Sequence, residues 1–593
     1  MPPATMAQPM QNSWQLLRRY LDPQRAAVLL MCVLLVASIV LQLLGPQIAS
    51  RFIDAARSGA EVAVLLRMAL LFLAVSLVQQ GMSVLATYWS QRVAWTATNA
   101  LRADLAAHLL HLNIGFHTAR MPGEMIERVD GDVNALAGFL SSFVVQLIGN
   151  VVLLHGILVT LFLTDTQLGL AFSLFSLLAL GILSWIRKFA TPHLTNDRKQ
   201  SAHFYGYIGE VLTATEDLRG NGATSYALWR FFKHLQQWLP IRRRAWLWAQ
   251  SMMMVAIAVF AVATALAYAL GGFLYQVGAI SLGTVYLVLA YAALLEQPIE
   301  TIRTQIQDLQ RADASMVRVR ELLVMRSALE DGSESPPSGA LSVEFRGVHF
   351  GYGPTPAPGS GQWQGVMVLN AVSFHLEAGS VLGLLGRTGS GKTTIARLLF
   401  RLYDPVEGEV CVGGLTLRRA KVDTLRQRVG MVTQDVQLFQ ATLRDNLTFF
   451  DSRVSDQHLV SVLETLGLQT WFQRLPEGLD TVISGLRLSA GEAQLVALAR
   501  VFLKDPGLVI LDEASSRLDP ATELLLERAL DRLLRGRTAI IIAHGLATID
   551  RADDILLLED GHVLESGPRA SLAADPSSRY ATLRRTGLGE VLA

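Results

Sequence analysis

Apolar residues gather in long blocks along this chain. Ala26 to Ser50, Met68 to Gln91, Val133 to Thr164 and Thr166 to Ile186 each lack Asp, Glu, Lys and Arg, and each is long enough for a membrane-spanning helix of about 20 residues. A fifth charge-free run, Ala245 to Leu295, has room for two more spans, with Gly271, Gly272, Gly278 and Gly283 predicting the turn between them. Six spans put both termini on one side. The segment after the fourth carries Arg187, Lys188, Arg198, Lys199, Arg219, Arg230, Lys233 and Arg242 to Arg244, against only Arg51, Arg57 and Arg67 around the first short loop. That asymmetry predicts cytosolic termini and two long cytosolic loops.

Those loops, 92–132 and 187–244, are polar but compatible with helix, so the spans are expected to continue past the bilayer. Met121-Pro122-Gly123 and Gly220-Asn221-Gly222 supply turn chemistry for the reversals. Ahead of the first span, Trp14, Leu17, Tyr20 and Leu21 recur at helical spacing beside Arg18 and Arg19, the pattern of an interfacial helix. Beyond the sixth span a charged helix runs to about Arg326, and Glu330 to Gly339, rich in Ser, Pro and acids, reads as a linker. Then Val343 to Phe350, Val381 to Leu385 and Leu508 to Leu511 read as strands, alternating with helical patterns at Thr393 to Phe400 and Ala493 to Leu503. The expected organisation is an N-terminal helix (1–25), an all-α six-span domain (26–310), a connecting helix and linker (311–340) and an α/β domain (341–593).

Composition agrees with a chain partly in lipid: 51% hydrophobic and 17% charged residues. The formal net charge of +1 offers no field for nucleic acid, which is excluded as a partner. The two cysteines, Cys32 and Cys411, support neither a disulfide framework nor a cysteine metal site.

The candidate chemistry lies in the C-terminal half. Gly386-Arg387-Thr388-Gly389-Ser390-Gly391-Lys392-Thr393 follows an apolar strand and opens a helix, which is the context a P-loop requires. Its backbone N–H groups and helix N-terminus are suited to a triphosphate, with Lys392 reaching the β- and γ-phosphates and Thr393 ligating Mg²⁺. Leu508-Val509-Ile510-Leu511-Asp512-Glu513 is a buried strand ending on two carboxylates. Asp512 would hold the Mg²⁺ indirectly and Glu513 would polarise the attacking water.

Leu488-Ser489-Ala490-Gly491-Glu492, just upstream of that strand, resembles the signature sequence of ATP-binding cassette proteins. The resemblance covers nearly the whole chain and implies an exporter half, a six-helix membrane domain fused to an ATPase. It implies that Ser489 and Gly491 bind the γ-phosphate of an ATP held by a second cassette, and that Tyr352 stacks on adenine. By the same resemblance Thr394 joins the nucleotide site and Gln434 is the metal-facing Q-loop residue. Asp519, ending Ser516-Arg517-Leu518-Asp519, belongs to the D-loop, and His544 is the switch histidine. Phe116 to Val133 and Glu216 to Gly222 are similar to the two coupling regions, and Pro298 lies where exporters place a proline near the end of the sixth span.

The chain departs from the family pattern at Ala490, where Gly is usual, at Glu492, where Gln is usual, and at Gly545, where Arg is usual. Asp480 to Arg487 is about two residues short and lacks a usual Glu, and Pro354 to Gly365 reads as an insertion. Ala490 adds a methyl at a turn expected to be tightly packed. A Glu492 carboxylate about 7 Å from a triphosphate would repel it by ~2 kcal/mol. These departures favour a heterodimer with a second half-transporter over a homodimer. Glu513 argues against the alternative of a gating subunit with little hydrolysis of its own. The substrate is expected to be small or amphiphilic, with drug-like amphiphiles, lipids and peptides all open, and the polar membrane residues Gln79, Gln80, Gln146, Asn150, His155 and Glu296 either face its cavity or hydrogen-bond between helices. The expected location is a bacterial inner membrane.

Overall fold

A backbone in lipid has no hydrogen-bond partner but itself, and the charge-free runs accordingly become helices. The computed structural model describes the chain apart from residues 1–12, 328, 354–365, 434–435, 484–487, 513–519, 543–548 and 587–593. Among the described residues six helical segments are long and apolar enough to cross a membrane: Arg18–Arg57, Val62–His111, Pro122–Thr164, Thr166–Thr213, Thr224–Gln276 and Leu282–Ile302. The second, fourth and fifth contain 50, 48 and 53 residues. At 1.5 Å per residue each exceeds about 70 Å, over twice a hydrocarbon core of about 30 Å.

Two turns differ from the sequence reading. Gly271 and Gly272 stay helical, because breaking a helix in lipid strands more backbone than glycine's intrinsic preference can offset. The reversal falls at Gly278, whose φ of +76° suits glycine, and Ser281 caps the next helix by accepting from the Thr284 N–H. Pro122 does not form a turn but opens the third helical segment, where its missing N–H is harmless. The reversal precedes it and contains the short helix Ile114–Thr118, capped by the Asn113 side chain.

The chain divides into two compact units, residues 1–110 with 122–325, and residues 111–121 with 326–593. In the first, Leu35, Ile157, Phe172, Ala267 and Tyr291 belong to a common core. At the short-loop end, Asp54 accepts from the Ser281 hydroxyl and from the Gly283 N–H at 2.8 Å. A Cβ at Gly283 would lie 2.1 Å from the Ser50 carbonyl oxygen, so only glycine permits this approach of the first and sixth spans. Elsewhere the buried Asp132 takes the Ser315 hydroxyl at 2.9 Å and the Arg318 guanidinium, which ties the third segment to the helix Glu296–Val324.

Among the described residues the second unit holds twelve strands: β1 Val343–Gly351, β2 Met367–Leu376, β3 Val381–Gly386, β4 Glu407–Val412, β5 Leu415–Thr416, β6 Val429–Val432, β7 Ala441–Thr442, β8 Val482–Ile483, β9 Leu508–Asp512, β10 Thr538–Ile542, β11 Asp554–Glu559 and β12 His562–Pro568. They form sheets ordered β2-β1-β4-β5, β12-β11-β3-β10-β9-β6 and β7-β8. In the six-stranded sheet β11, β3, β10, β9 and β6 run parallel. Strands β9 and β10 are buried at every position, as continuous apolar runs require when both faces are covered.

The helix Ile114–Thr118 belongs to this second unit, with Gly115 beside the Tyr403 ring, whereas Thr215–Gly220 belongs to the first unit and exposes Glu216, Asp217 and Arg219. The linker is held more closely than its composition predicts. Glu334 bridges to Ala420, Asp331 accepts from the Val422 N–H at 2.8 Å, and the buried Arg401 donates to the carbonyls of Glu330 and Ala420, each at 2.7 Å.

Candidate nucleotide-binding site

The P-loop joins β3 to the helix Lys392–Leu399. Gly389 and Gly391 take φ values of +87° and +107°, and a Cβ at Gly391 would come within 2.5 Å of the Leu369 side chain. These conformations turn the loop around its own centre. Lys392 is 6% exposed, and its Nζ donates to the carbonyls of Gly386 at 2.6 Å and Arg387 at 3.0 Å. Arg387, Thr388 and Gly389 are exposed, while the Ser390 hydroxyl is buried with no hydrogen-bond partner. A buried hydroxyl without a partner is costly unless a ligand satisfies it. The loop therefore fits a phosphate chain.

Tyr352 is tied to the same helix. Its hydroxyl lies 3.0 Å from the Thr394 hydroxyl and accepts from Arg397 at 3.0 Å, and its ring meets Tyr403 edge to face. Thr394 is thus engaged in orienting this aromatic. Nothing in the sequence marks Arg397 for this contact, since a lone arginine on a helix carries no signal. The residue as a whole stays 37% exposed.

Asp512 is the last residue of β9 and is 5% exposed. Strand β10 separates β9 from β3, and the helix after the P-loop packs against both β3 and β9. Ligands in such sheets bind beyond the carboxyl ends of the strands. Thr393 and Asp512 are hard oxygen donors of the kind Mg²⁺ prefers, and they fit that ion when phosphate oxygens complete its shell. Among the described residues no group of three His, Cys, Asp or Glu side chains is placed to hold a metal alone. Gln434, Glu513, Asp519 and His544 lie outside the described residues.

The signature forms the start of the helix Ala490–Lys504. Ser489 is its N-cap: the hydroxyl accepts from the Glu492 N–H at 3.2 Å, and the Glu492 carboxylate returns to the Ser489 N–H at 2.9 Å. Such a capping box satisfies two otherwise orphaned donors. The second carboxylate oxygen accepts from the Trp471 indole at 3.1 Å. Ser489 and Ala490 are exposed and Gly491 is buried. The Ala490 methyl is therefore not crowded within its own chain but presented at the surface, and the Glu492 charge is held against its own helix terminus. At the far end, burial and the nearby Arg426 push the Lys504 ammonium down to about 8.

The short segment before the signature is braced from outside. Ala441 pairs with Ile483 and Thr442 with Val482, and Arg444 bridges Asp480 and Asp456. The Arg444 guanidinium holds the Asp456 carboxyl below the usual carboxylate range.

Of the polar membrane residues, Gln146 accepts from Gln305 at 2.9 Å and offers its carbonyl to Asn150, while His155 bonds the Val151 carbonyl of its own helix. Gln80 and Glu296 are exposed, and Gln79 is half-buried beside a cleft.

Comparison with known proteins agrees with this geometry. The family model described as ABC transporter matches residues 369–516, and that described as ABC transporter transmembrane region matches residues 28–299. An uncharacterized ABC transporter ATP-binding protein of Bacillus subtilis is 30% identical over 93% of this chain and 91% of its own. An ATP-dependent lipid A-core flippase of Pectobacterium atrosepticum is 28% identical over 98% of this chain and 99% of its own. A solved structure of a bacterial Atm1-family ABC exporter with ATP bound matches with a TM-score of 0.75 and 26% identity, covering 96% of this chain and 98% of that one.

Proposed function

The chain belongs to the ABC transporter family as an exporter half whose ATPase is coupled to transport, and on that premise we propose that it exports an amphiphilic substrate across a bacterial inner membrane as one half of a heterodimer, with both termini cytosolic. It is a multi-pass integral membrane protein, and ABC half-transporters work as dimers. The observation that carries the proposal is the pairing, in one chain, of six spans with a P-loop whose buried Ser390 hydroxyl awaits a partner. The lipid A-core flippase relative supports a lipid-like substrate.

In this reading ATP supplies the phosphoanhydride whose cleavage drives the cycle, with Mg²⁺ held by Thr393, Asp512 and Gln434. The P-loop amides and Lys392 bind the phosphates, and Tyr352 stacks on the base. Glu513 takes the proton of the attacking water, and His544 contacts the terminal phosphate. Ser489 and Gly491 close over the partner's nucleotide, and Asp519 serves as the D-loop carboxylate. Closure turns the helices outward, and hydrolysis resets them.

The signature supports unequal sites. The exposed Ala490 methyl stands where a partner's nucleotide would approach. Glu492, in the first turn, sets a full negative charge against a helix-terminal charge of about +0.5 that would otherwise attract phosphate. The partner's P-loop site is thereby weakened, while this chain's own site depends on the partner's signature.

The test is to purify the chain alone and measure its oligomeric state and turnover. Little turnover alone, restored by a second half-transporter and slowed by orders of magnitude in Glu513→Gln, is expected. A stable homodimer with full substrate-stimulated ATPase and transport would overturn the heterodimer. Parental hydrolysis in Glu513→Gln would remove the base.

A further inference from the structure

A cleft of about 260 Å³ opens between the first, second and sixth spans, lined by Gln42, Pro46, Ser76, Gln79 and Tyr286 with apolar walls that include Leu41 and Phe72. We infer that it binds the uncharged, hydrogen-bonding headgroup of an amphiphile, a glycerol or sugar rather than a phosphate or an ammonium. The inference rests on the exporter reading and gives that substrate a chemical class.

Four side chains in the cleft carry hydrogen-bonding groups, and among the described residues Gln42, Ser76, Gln79 and Tyr286 make no side-chain hydrogen bond. Their neighbours behave differently. One turn along the first span, Gln47 donates to the Tyr291 hydroxyl, which donates to the Leu43 carbonyl at 2.8 Å. Hydroxyls elsewhere in the spans, Ser38, Thr160, Thr164 and Ser176, return to carbonyls of their own helices. Ser76 does not. Pro46 adds a further acceptor, because it has no N–H to give the Gln42 carbonyl four residues earlier. Leaving such groups unsatisfied at membrane depth is costly, and polar residues there mark substrate paths.

The chemistry of the lining selects the ligand. Each glutamine amide offers two donors and an acceptor, and each hydroxyl offers both. No Asp, Glu, Lys or Arg lines the cleft, so an ionic headgroup would enter without a counter-charge, which low-dielectric surroundings penalise heavily. The volume lies below the roughly 300–1,000 Å³ of sites that enclose a whole drug-sized ligand. It suits a headgroup and its first methylenes, with the tail left in lipid.

The experiment uses the assembled transporter in phosphatidylcholine nanodiscs. Equilibrium binding and ATPase stimulation are measured with three probes of equal chain length: 1-decanoylglycerol, decyltrimethylammonium and decyl sulfate. Saturable binding of 1-decanoylglycerol, at least tenfold tighter than either ion, is expected. Gln42→Leu or Gln79→Leu should weaken it about tenfold, the value of roughly one hydrogen bond, whereas Leu73→Ala, at an exposed position of the second span, should not. Gln79→Glu, of nearly equal size, should shift preference towards decyltrimethylammonium, which keeps the test sound if a leucine variant misfolds. Equal binding of the three probes, no saturable binding of 1-decanoylglycerol, or indifference to both glutamine changes would overturn the site. Absence of ATP hydrolysis under every condition would instead defeat the exporter reading, and the binding arm would still stand.

Discussion

The Trp471 indole N–H donates to Oε1 of Glu492 at 3.1 Å, which leaves Oε2 for the Ser489 backbone N–H. Both carboxylate oxygens are therefore used, one tying the signature turn to the short helix Gln469–Phe472 and the other closing the capping box. A glutamine at this position has a single acceptor oxygen. Glu492→Gln is expected to lose one of the two bonds at a cost of about 1 kcal/mol. Trp471→Phe should cost a similar amount, and the double variant less than the sum, since both remove the same contact. Denaturant unfolding checks the stability effect. Removing the charge from the first turn should also lower the ATP concentration needed for half-maximal turnover in the assembled dimer, opposite in sign to the loss of stability. An unchanged ATP requirement would separate the carboxylate from the partner's site.

Lys392→Ala is expected to abolish ATP binding at this chain's P-loop, because it deletes the buried cation that crosses the loop. The loop backbone, set by Gly389 and Gly391, should survive. Nucleotide affinity of the variant, measured in the assembled transporter, checks this, and unchanged affinity would remove Lys392 from the site.

What the sequence made legible followed from local rules. Charge-free runs had to become helices in lipid, and Leu508 to Leu511 had to be a buried strand because no residue in it tolerates water. The P-loop was readable because glycine spacing, a preceding strand and a following helix constrain one another. Contacts distant in sequence were not readable. Nothing in the order of residues announces that Arg401 reaches Glu330, that Trp471 serves Glu492, or that Tyr352 is held by Thr394 and Arg397. Of the four glycines expected to turn the chain before the sixth span, Gly278 does so, whereas Gly271 and Gly272 stay helical because glycine's preference is weak beside the cost of unpaired backbone in lipid.

Lys504 closes the signature helix, donating to the Val429 carbonyl at 2.9 Å and lying over the Phe400 ring. Burial, and then Arg426, push its ammonium from 10.5 to about 8. Below about pH 8 the group is protonated in both folded and unfolded chains, and the folded state bears the full cost of the charge. Between about 8 and 10.5 the unfolded chain binds more protons than the folded one, so stability contributed by this group rises with pH and then levels off. Part of the side chain is exposed to solvent, which moderates the effect. Lys504→Met should flatten that rise in the pH dependence of unfolding. A profile identical to the parent would show that the amine titrates normally.

Arg401 joins two roles that usually fall to different residues. It follows the P-loop helix at a φ of +47°, where its N–H closes the last turn on the Leu398 carbonyl, and glycine would occupy that conformation with less strain. Its guanidinium is 1% exposed and spends its donors on Asp404 and on the carbonyls of Glu330 and Ala420. Removing one partner of such a buried set leaves the others unsatisfied, typically at about 3–5 kcal/mol. Arg401→Met, which keeps the bulk but no donor, is expected to lower cassette stability by an amount in that range. It should also free the linker at 330–337, so that limited proteolysis cuts there first. Arg401→Gly relieves the backbone strain yet loses the same bonds and empties the space of a fully buried side chain, so it should be at least as destabilising as Arg401→Met while leaving the linker equally cleavable. If the linker of both variants resisted protease as the parent does, the hold on the linker would lie with Asp331 and Glu334 instead.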